Sequence, residues 1–214
     1  MHVVITGANR GIGQALLSRY HSRGDQVTGT SRAGGDYAKL DVTDVAAQKA
    51  FAEQMTDQPV DLLVCNAGVY LDKGHDLDAG YPAQMWADTF AANVTGVFLT
   101  VQSLLPNLRL AESAKIAIIS SQMASHTRAP GGSYIYRASK AAVLNVGRNL
   151  STELQPEGIA VGIYHPGWVS TDMGGAIAPT TVDQSADGLV ARFDELDMSS
   201  TGCFRTFDGA DHPY

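Results

Sequence analysis

Tyr136 and Lys140 stand one helical turn apart in the segment Tyr136-Arg137-Ala138-Ser139-Lys140. Side chains four residues apart share one helix face. A phenol ionises near pH ~10 when unperturbed, and a cation beside it favours the phenolate. The pair is therefore expected to bring a proton donor and acceptor towards neutral pH. Near the start of the chain, Thr6-Gly7-Ala8-Asn9-Arg10-Gly11-Ile12-Gly13 forms a glycine-rich stretch between a strand signal and a helix signal. Small residues there let backbone approach a pyrophosphate, and the helix N-terminus offers free N–H groups and a positive dipole end. A dinucleotide seat and a titratable phenol together point to hydride chemistry on a carbonyl or alcohol.

Other segments supply candidates for the same site. The second strand ends in Thr30-Ser31-Arg32, where a carboxylate would ordinarily meet the ribose 2′-hydroxyl of NAD. Ser31 with the guanidiniums of Arg10 and Arg32 suits a 2′-phosphate instead, so NADP(H) is expected rather than NAD(H). Asp41 and Val42 flank the adenine, or Asp41 only begins the turn before Asp44. Cys65-Asn66-Ala67-Gly68 closes the fourth strand at the ligand-bearing edge of the sheet. Gly68 would pass close to the nicotinamide ribose, and Asn66 either joins the site or braces the loop. Ser120-Ser121 closes the fifth strand at the same edge, where a hydroxyl can hold a carbonyl oxygen as charge develops on it.

Tyr134 competes with Tyr136, but the residue four positions after Tyr134 is Ala138, so only Tyr136 has its cation. Asn93 and Gly96 are poor residues for a helix interior. They mark either a local break that holds a water near Lys140 or a close packing contact. In His165-Pro166-Gly167-Trp168-Val169-Ser170-Thr171 the Pro-Gly pair makes a sharp turn. Val169 backbone and the Thr171 hydroxyl would meet the cofactor there, with His165 a structural strand-end residue. The six histidines lie in no nucleophile-elbow context, and no G-x-S-x-G occurs.

These residues need elements to hold them. Strand and helix signals alternate throughout, which predicts an α/β fold with a parallel sheet and helices on both faces. Strands are expected at His2–Thr6, Gln26–Ser31, Tyr37–Val42, Asp61–Cys65, Lys115–Ser120, Ile159–His165 and Gly202–Phe207. Helices are expected at Gly11–Arg23, from Asp44 as N-cap to Met55, from Tyr81 to Leu105 with an end near Pro106, and at Ser133–Leu154 and Val182–Leu196.

The chain has 214 residues, 44% of them hydrophobic, enough for one domain spanning residues 1–214. A net charge of −7 excludes a basic nucleic-acid footprint. No run reaches the ~18 apolar residues of a membrane span, and Met1-His2-Val3-Val4-Ile5 lacks signal-peptide features. Cys65 and Cys203 are far apart and form no metal-ligand pattern, so buried thiols, no metal site and a reducing cytoplasm are expected.

The T-G-x-x-x-G-x-G start, Asn-Ala-Gly, strand-end serine, Y-x-x-x-K and Pro-Gly turn occur in one order that resembles the short-chain dehydrogenase/reductase family over essentially the whole chain. Gly131 to Lys140, His165 to Gly175 and the ending Phe207-Asp208-Gly209 with Pro213-Tyr214 are most similar to its sniffer-type carbonyl reductases and C-factor-like proteins. The resemblance implies a Rossmann-like, doubly wound sheet of seven parallel strands. It implies a tetrad of Asn93, Ser121, Tyr136 and Lys140. Tyr136 would exchange the substrate proton, Ser121 would hold the oxygen, Lys140 would lower the tyrosine pKa and grip the ribose, and Asn93 would anchor a relay water. The expected cofactor seat comprises Gly7, Asn9, Arg10, Gly11, Ile12, Gly13, Ser31, Arg32, Asp41, Val42, Asn66, Ala67, Gly68, Tyr136, Lys140, Pro166, Gly167, Val169 and Thr171.

The substrate-side segment, around 168–182, is short, so an open pocket is expected, walled by Gln122, Met123, His126, Trp168 and Met173. The expected activity is an NADP(H)-dependent aldehyde or ketone reductase, in a homodimer or homotetramer. The alternatives are an NAD-linked alcohol dehydrogenase and a non-catalytic NADP-binding regulatory or signalling protein.

Overall fold

Alternate residues along each central strand face opposite layers of helices, and this splits the core in two. In the computed structural model, which describes residues 1–127 and 129–214, the strands are β1 His2–Ile5, β2 Gln26–Ser31, β3 Ala38–Lys39, β4 Leu62–Cys65, β5 Lys115–Ile119, β6 Ala160–His165 and β7 Phe204–Thr206. Among the described residues they form one seven-stranded parallel sheet in the order β3-β2-β1-β4-β5-β6-β7. The helices are α1 Gly11–Ser22, α2 Val45–Gln54, α3 Ala83–Phe90, α4 Gly96–Leu110, α5 Tyr134–Leu154 and α6 Val182–Glu195. Val4, Leu63, Cys65, Ile116, Ile118, Val161 and Ile163 pack against α2, α4 and α5. Val3, Ile5, Leu62, Val64, Ala117, Ile119 and Tyr164 face α1 and α6. Period-two alternation with both faces apolar is the pattern of a sheet covered on both sides.

The strand order reverses direction at β1, between β2 and β4. In an open parallel sheet that switch point, beyond the carboxyl ends of the strands, is where ligands lie. The ends of β1 and β4 are tied there. Thr6 N–H donates to Val64 O at 3.0 Å, and the Thr6 hydroxyl accepts from Asn66 and Ala67 N–H, each at 3.0 Å.

Two expected elements differ. The third strand contracts from Tyr37–Val42 to Ala38–Lys39, because Leu40 and Val42 turn into the core while Asp41 closes a turn. The long helix from Tyr81 does not run unbroken. Between α3 and α4 the backbone makes one π-helical turn, Ala91–Thr95, around Asn93. Nor does the helix end at Pro106. It continues to Leu110, because buried Leu104 and Leu108 hold it to the core. Asn107 Nδ2 adds bonds to Met55 O and Gln58 O at 2.5 and 2.8 Å. Tertiary contacts here outweigh the loss of one backbone donor. Among the described residues no helix is long and apolar enough to cross a membrane. Cys65 is buried as expected, whereas Cys203 is partly exposed.

Candidate active site

The glycine loop is shaped by contacts that side chains would prevent. A Cβ on Gly13 would lie 2.3 Å from Gly7 O and 2.6 Å from Asn66 Nδ2, and one on Gly7, at φ +65°, would meet Ala67 Cα at 3.1 Å. Asn66 Nδ2 donates to Thr6 O at 2.9 Å and Gly7 O at 3.1 Å, so Asn66 braces the loop between the strands. Ala8 N–H reaches Thr30 O at 2.9 Å, joining the loop to β2. Asn9 and Arg10 are exposed at its tip, and Ile12 packs on the core. Arg10 gives α1 no side-chain cap and the first turn carries no acid, so neither offsets the positive end of the helix.

Around that loop the expected residues divide. The Ser31 hydroxyl both accepts from Gly34 N–H and donates to Gly34 O, at 3.0 Å each, so it is committed to a local turn. Asp41 accepts from Thr43 N–H and hydroxyl at 3.0 and 2.8 Å. The Thr43 N–H holds its carboxyl below the ordinary value, and the charge of Arg32 adds to this. Asp41 thus begins the turn before Asp44, while Val42 packs against Gly96, whose Cβ would meet Val42 O at 2.9 Å. Arg10 pairs with Asp172 at 2.8 Å across the mouth of the loop, both side chains exposed. The segment after β6 also approaches. Thr171 Cγ2 lies 3.5 Å from a Cβ built on Gly11, Pro166 O accepts from the Ser185 hydroxyl at 2.6 Å, and Val169 bridges to Thr180. Gly167 takes φ +90° in the sharp turn between them.

The second group meets at the end of β5. Tyr136, Lys140, Ser121 and Asn93 are all buried. Lys140 Nζ lies 5.6 Å from the Tyr136 ring centroid and donates to Ile119 O at 3.0 Å. Ser121 Oγ accepts from Met123 N–H at 3.1 Å. Asn93 accepts from Val69 N–H at 2.8 Å and donates to Val69 O at 2.9 Å and the Ser139 hydroxyl at 3.0 Å. Gly68 separates the two ends of this group, with Asn93 Oδ1 3.0 Å and Lys140 Nζ 3.6 Å from where its Cβ would be. A Cβ there would crowd Asn93 Oδ1.

Electrostatics correct one expectation. Burial pushes the Tyr136 phenol well above its ordinary value, opposed by a hydrogen bond from Ser121, with Tyr70 and Asp72 adding to the rise. Burial pushes Lys140 down to about 8. The cation one turn away does not pull the phenol towards neutrality, because the desolvation that spacing cannot reveal acts on both groups. Near neutral pH the Tyr136 phenol therefore keeps its proton.

The sequence also missed two neighbours. Tyr70 stacks on Tyr136, with centroids 4.2 Å apart, and its hydroxyl bonds the Ser133 hydroxyl at 2.5 Å. Asp72, fully buried, accepts from the N–H groups of Ile135 and Tyr136. Of the expected pocket walls, Trp168 and Met173 are exposed, with Trp168 Nε1 bonded to Gly174 O at 2.9 Å. Gln122 and Met123 are half-buried beside Ser121, and His126 is exposed.

A family model described as short chain dehydrogenase matches residues 1–181. The C-signal protein of Myxococcus xanthus is 38% identical over 170 residues, which cover 78% of this chain and 99% of that one. The NADPH-bound carbonyl reductase from chicken fatty liver is similar in structure, with a TM-score of 0.91 and 28% identity over 100% of this chain and 98% of that one. The carbonyl reductase Sniffer of D. melanogaster has a TM-score of 0.92 and 27% identity over 100% and 99% of the two chains.

Proposed function

The chain belongs to the short-chain dehydrogenase family, and from that premise we propose that it is an NADP(H)-dependent oxidoreductase that reduces an aldehyde or ketone to an alcohol. The observation that carries this reading is the convergence of buried Tyr136, Lys140, Ser121 and Asn93 around Gly68.

The residues fit a nicotinamide dinucleotide. Gly7, Gly11 and Gly13 with the uncapped start of α1 suit a pyrophosphate. Arg10 and Arg32 are the groups that would hold a 2′-phosphate, with Arg10 exchanging Asp172 for it. Ala67, Gly68, Val169 and Thr171 are the residues that would flank the rest of the cofactor, and Lys140 is the group that would hold the nicotinamide ribose. When bound, the nicotinamide supplies the hydride.

The protein's own residues handle the proton. Met123 N–H fixes Ser121 Oγ from one side, and the Ser121 O–H, which here meets the Tyr136 phenol, would turn to a substrate oxygen. Tyr136, held protonated by burial, donates its proton to that oxygen as it gains charge. A placed acid of this kind is worth about 10²–10⁴ in rate. The protonated phenol is the form that reduction requires.

Titration of the purified protein with NADPH and NADH, followed by a panel of aliphatic and aromatic aldehydes and ketones with NADPH, tests the reading. Tight NADPH binding with turnover is expected. NADH preference would turn the reading to an NAD-linked alcohol dehydrogenase, and binding without turnover to a non-catalytic NADP-binding protein.

A further inference from the structure

Helix α5 carries Tyr136 in its first turn, yet it begins without a cap of its own. Ser133 at the N-cap position takes a left-handed φ of 50°, and its side chain caps nothing among the described residues. Four N–H groups at such a start need acceptors. Two of them find one far away in sequence. Asp72 Oδ2 accepts from Ile135 N–H at 2.9 Å, and Asp72 Oδ1 accepts from Tyr136 N–H at 3.2 Å. The Asp72 side chain is fully buried. Burying a carboxylate is costly unless donors meet it, and here the donors are the helix start itself, with its positive dipole end.

The same short segment holds Tyr136 from a second side. Tyr70 lies flat on the Tyr136 ring, 4.2 Å away, and its hydroxyl bonds Ser133. Behind Tyr70, Val69 is gripped through both backbone groups by Asn93. A continuous bridge therefore runs from the π-helical turn through residues 69–72 to the start of α5.

We infer that Asp72 is a positioning residue for Tyr136. It caps α5 from outside the helix and, with Tyr70, fixes where the phenol stands relative to Ser121. The catalytic part of this inference rests on the oxidoreductase reading above; the cap itself does not. The charge of Asp72 also favours the protonated phenol, with Tyr70, Ser121 and Lys140 the other groups facing it.

Three measurements test it. First, amide exchange of the unmodified protein by NMR reads the cap directly: Ile135 and Tyr136 N–H should be protected although they open a helix. Open-chain exchange at both would overturn the cap, whatever the enzyme does. Second, Asp72→Ala should lower kcat with NADPH and the fastest carbonyl of the panel about 10–100-fold, since misplacement of about 1 Å can cost 10². KM and NADPH affinity should stay within about threefold, a split that general unfolding would not give. Third, Asp72→Asn keeps one acceptor but not the charge. It should retain more turnover than Asp72→Ala, with KM and NADPH affinity again within about threefold of the parent. If Asp72→Ala fails to fold, Asp72→Asn and the amide exchange decide. An Asp72→Ala kcat within twofold of the parent, or an Asp72→Asn kcat indistinguishable from it, would overturn the positioning role. If the unmodified protein turns over no carbonyl, the oxidoreductase reading has failed, and protected amides would still establish the cap.

Discussion

Replacing Lys140 with Met should make the protein more stable at neutral pH while removing activity. Lys140 is buried, with its ammonium held by Ile119 O at 3.0 Å, and burial lowers its pKa from 10.5 to about 8. At 1.36 kcal/mol per pKa unit that gap corresponds to about 3 kcal/mol of unfavourable burial. Below pH 8 both folded and unfolded chains carry the proton, so the whole cost is present. Between about 8 and 10.5 the unfolded chain holds a proton that the folded chain has shed, and stability rises with pH. Met matches the length of the stem without a charge. Losing the bond to Ile119 O takes back about 1.5–2 kcal/mol. The net expectation is a gain of about 1–2 kcal/mol at pH 7, or roughly 2–8 °C in Tm for a chain of this size. The assay is denaturant unfolding of the cofactor-free protein and the variant from pH 6 to 10. The advantage of Lys140→Met should shrink as pH rises through 8. A variant less stable than the parent at pH 7, or a difference that does not change with pH, would refute the claim that the ammonium is held against its own solvation.

Gly13→Ala forces a Cβ to 2.3 Å from Gly7 O and 2.6 Å from Asn66 Nδ2; overpacking of this kind costs about 1–3 kcal/mol, and calorimetry should show NADPH affinity falling at least about tenfold. Asn93→Ala strips Val69 N–H and C=O of their partners and should lower unfolding free energy in urea by about 1–3 kcal/mol. Arg32→Ala should weaken NADPH about tenfold, as one exposed charge-assisted contact does, and leave NADH unchanged in the same titration.

Much of the scaffold was legible because it obeys local rules. The apolar runs Leu62–Cys65 and Lys115–Ile119, the Asp44 cap of α2 and the glycines at 7, 11 and 13 each declare themselves within a few residues. The spacing of Tyr136 and Lys140 placed both on one face of α5, and Asn93 with Gly96 marked the π-helical turn and the contact with Val42. What escaped was long-range or depended on solvent. Asp72 meets Ile135 and Tyr136 across 63 and 64 residues of chain, and nothing in its neighbourhood announces a helix cap. Pro106 read as a stop because the anchors that carry α4 past it, Met55 and Gln58, lie in the distant connection that follows α2. The phenol and ammonium were read as a pair in water, whereas burial moves each away from its charged form.

The most direct measurement is steady-state turnover of Tyr136→Phe beside the unmodified protein, with NADPH affinity determined on both. Loss of the buried phenol hydroxyl should lower kcat about 10²–10⁴-fold with NADPH affinity within about threefold, since the Tyr70 stack and the α5 cap need only the ring and the backbone. Retention of more than about a tenth of the turnover would contradict the account, because the proton would then come from elsewhere.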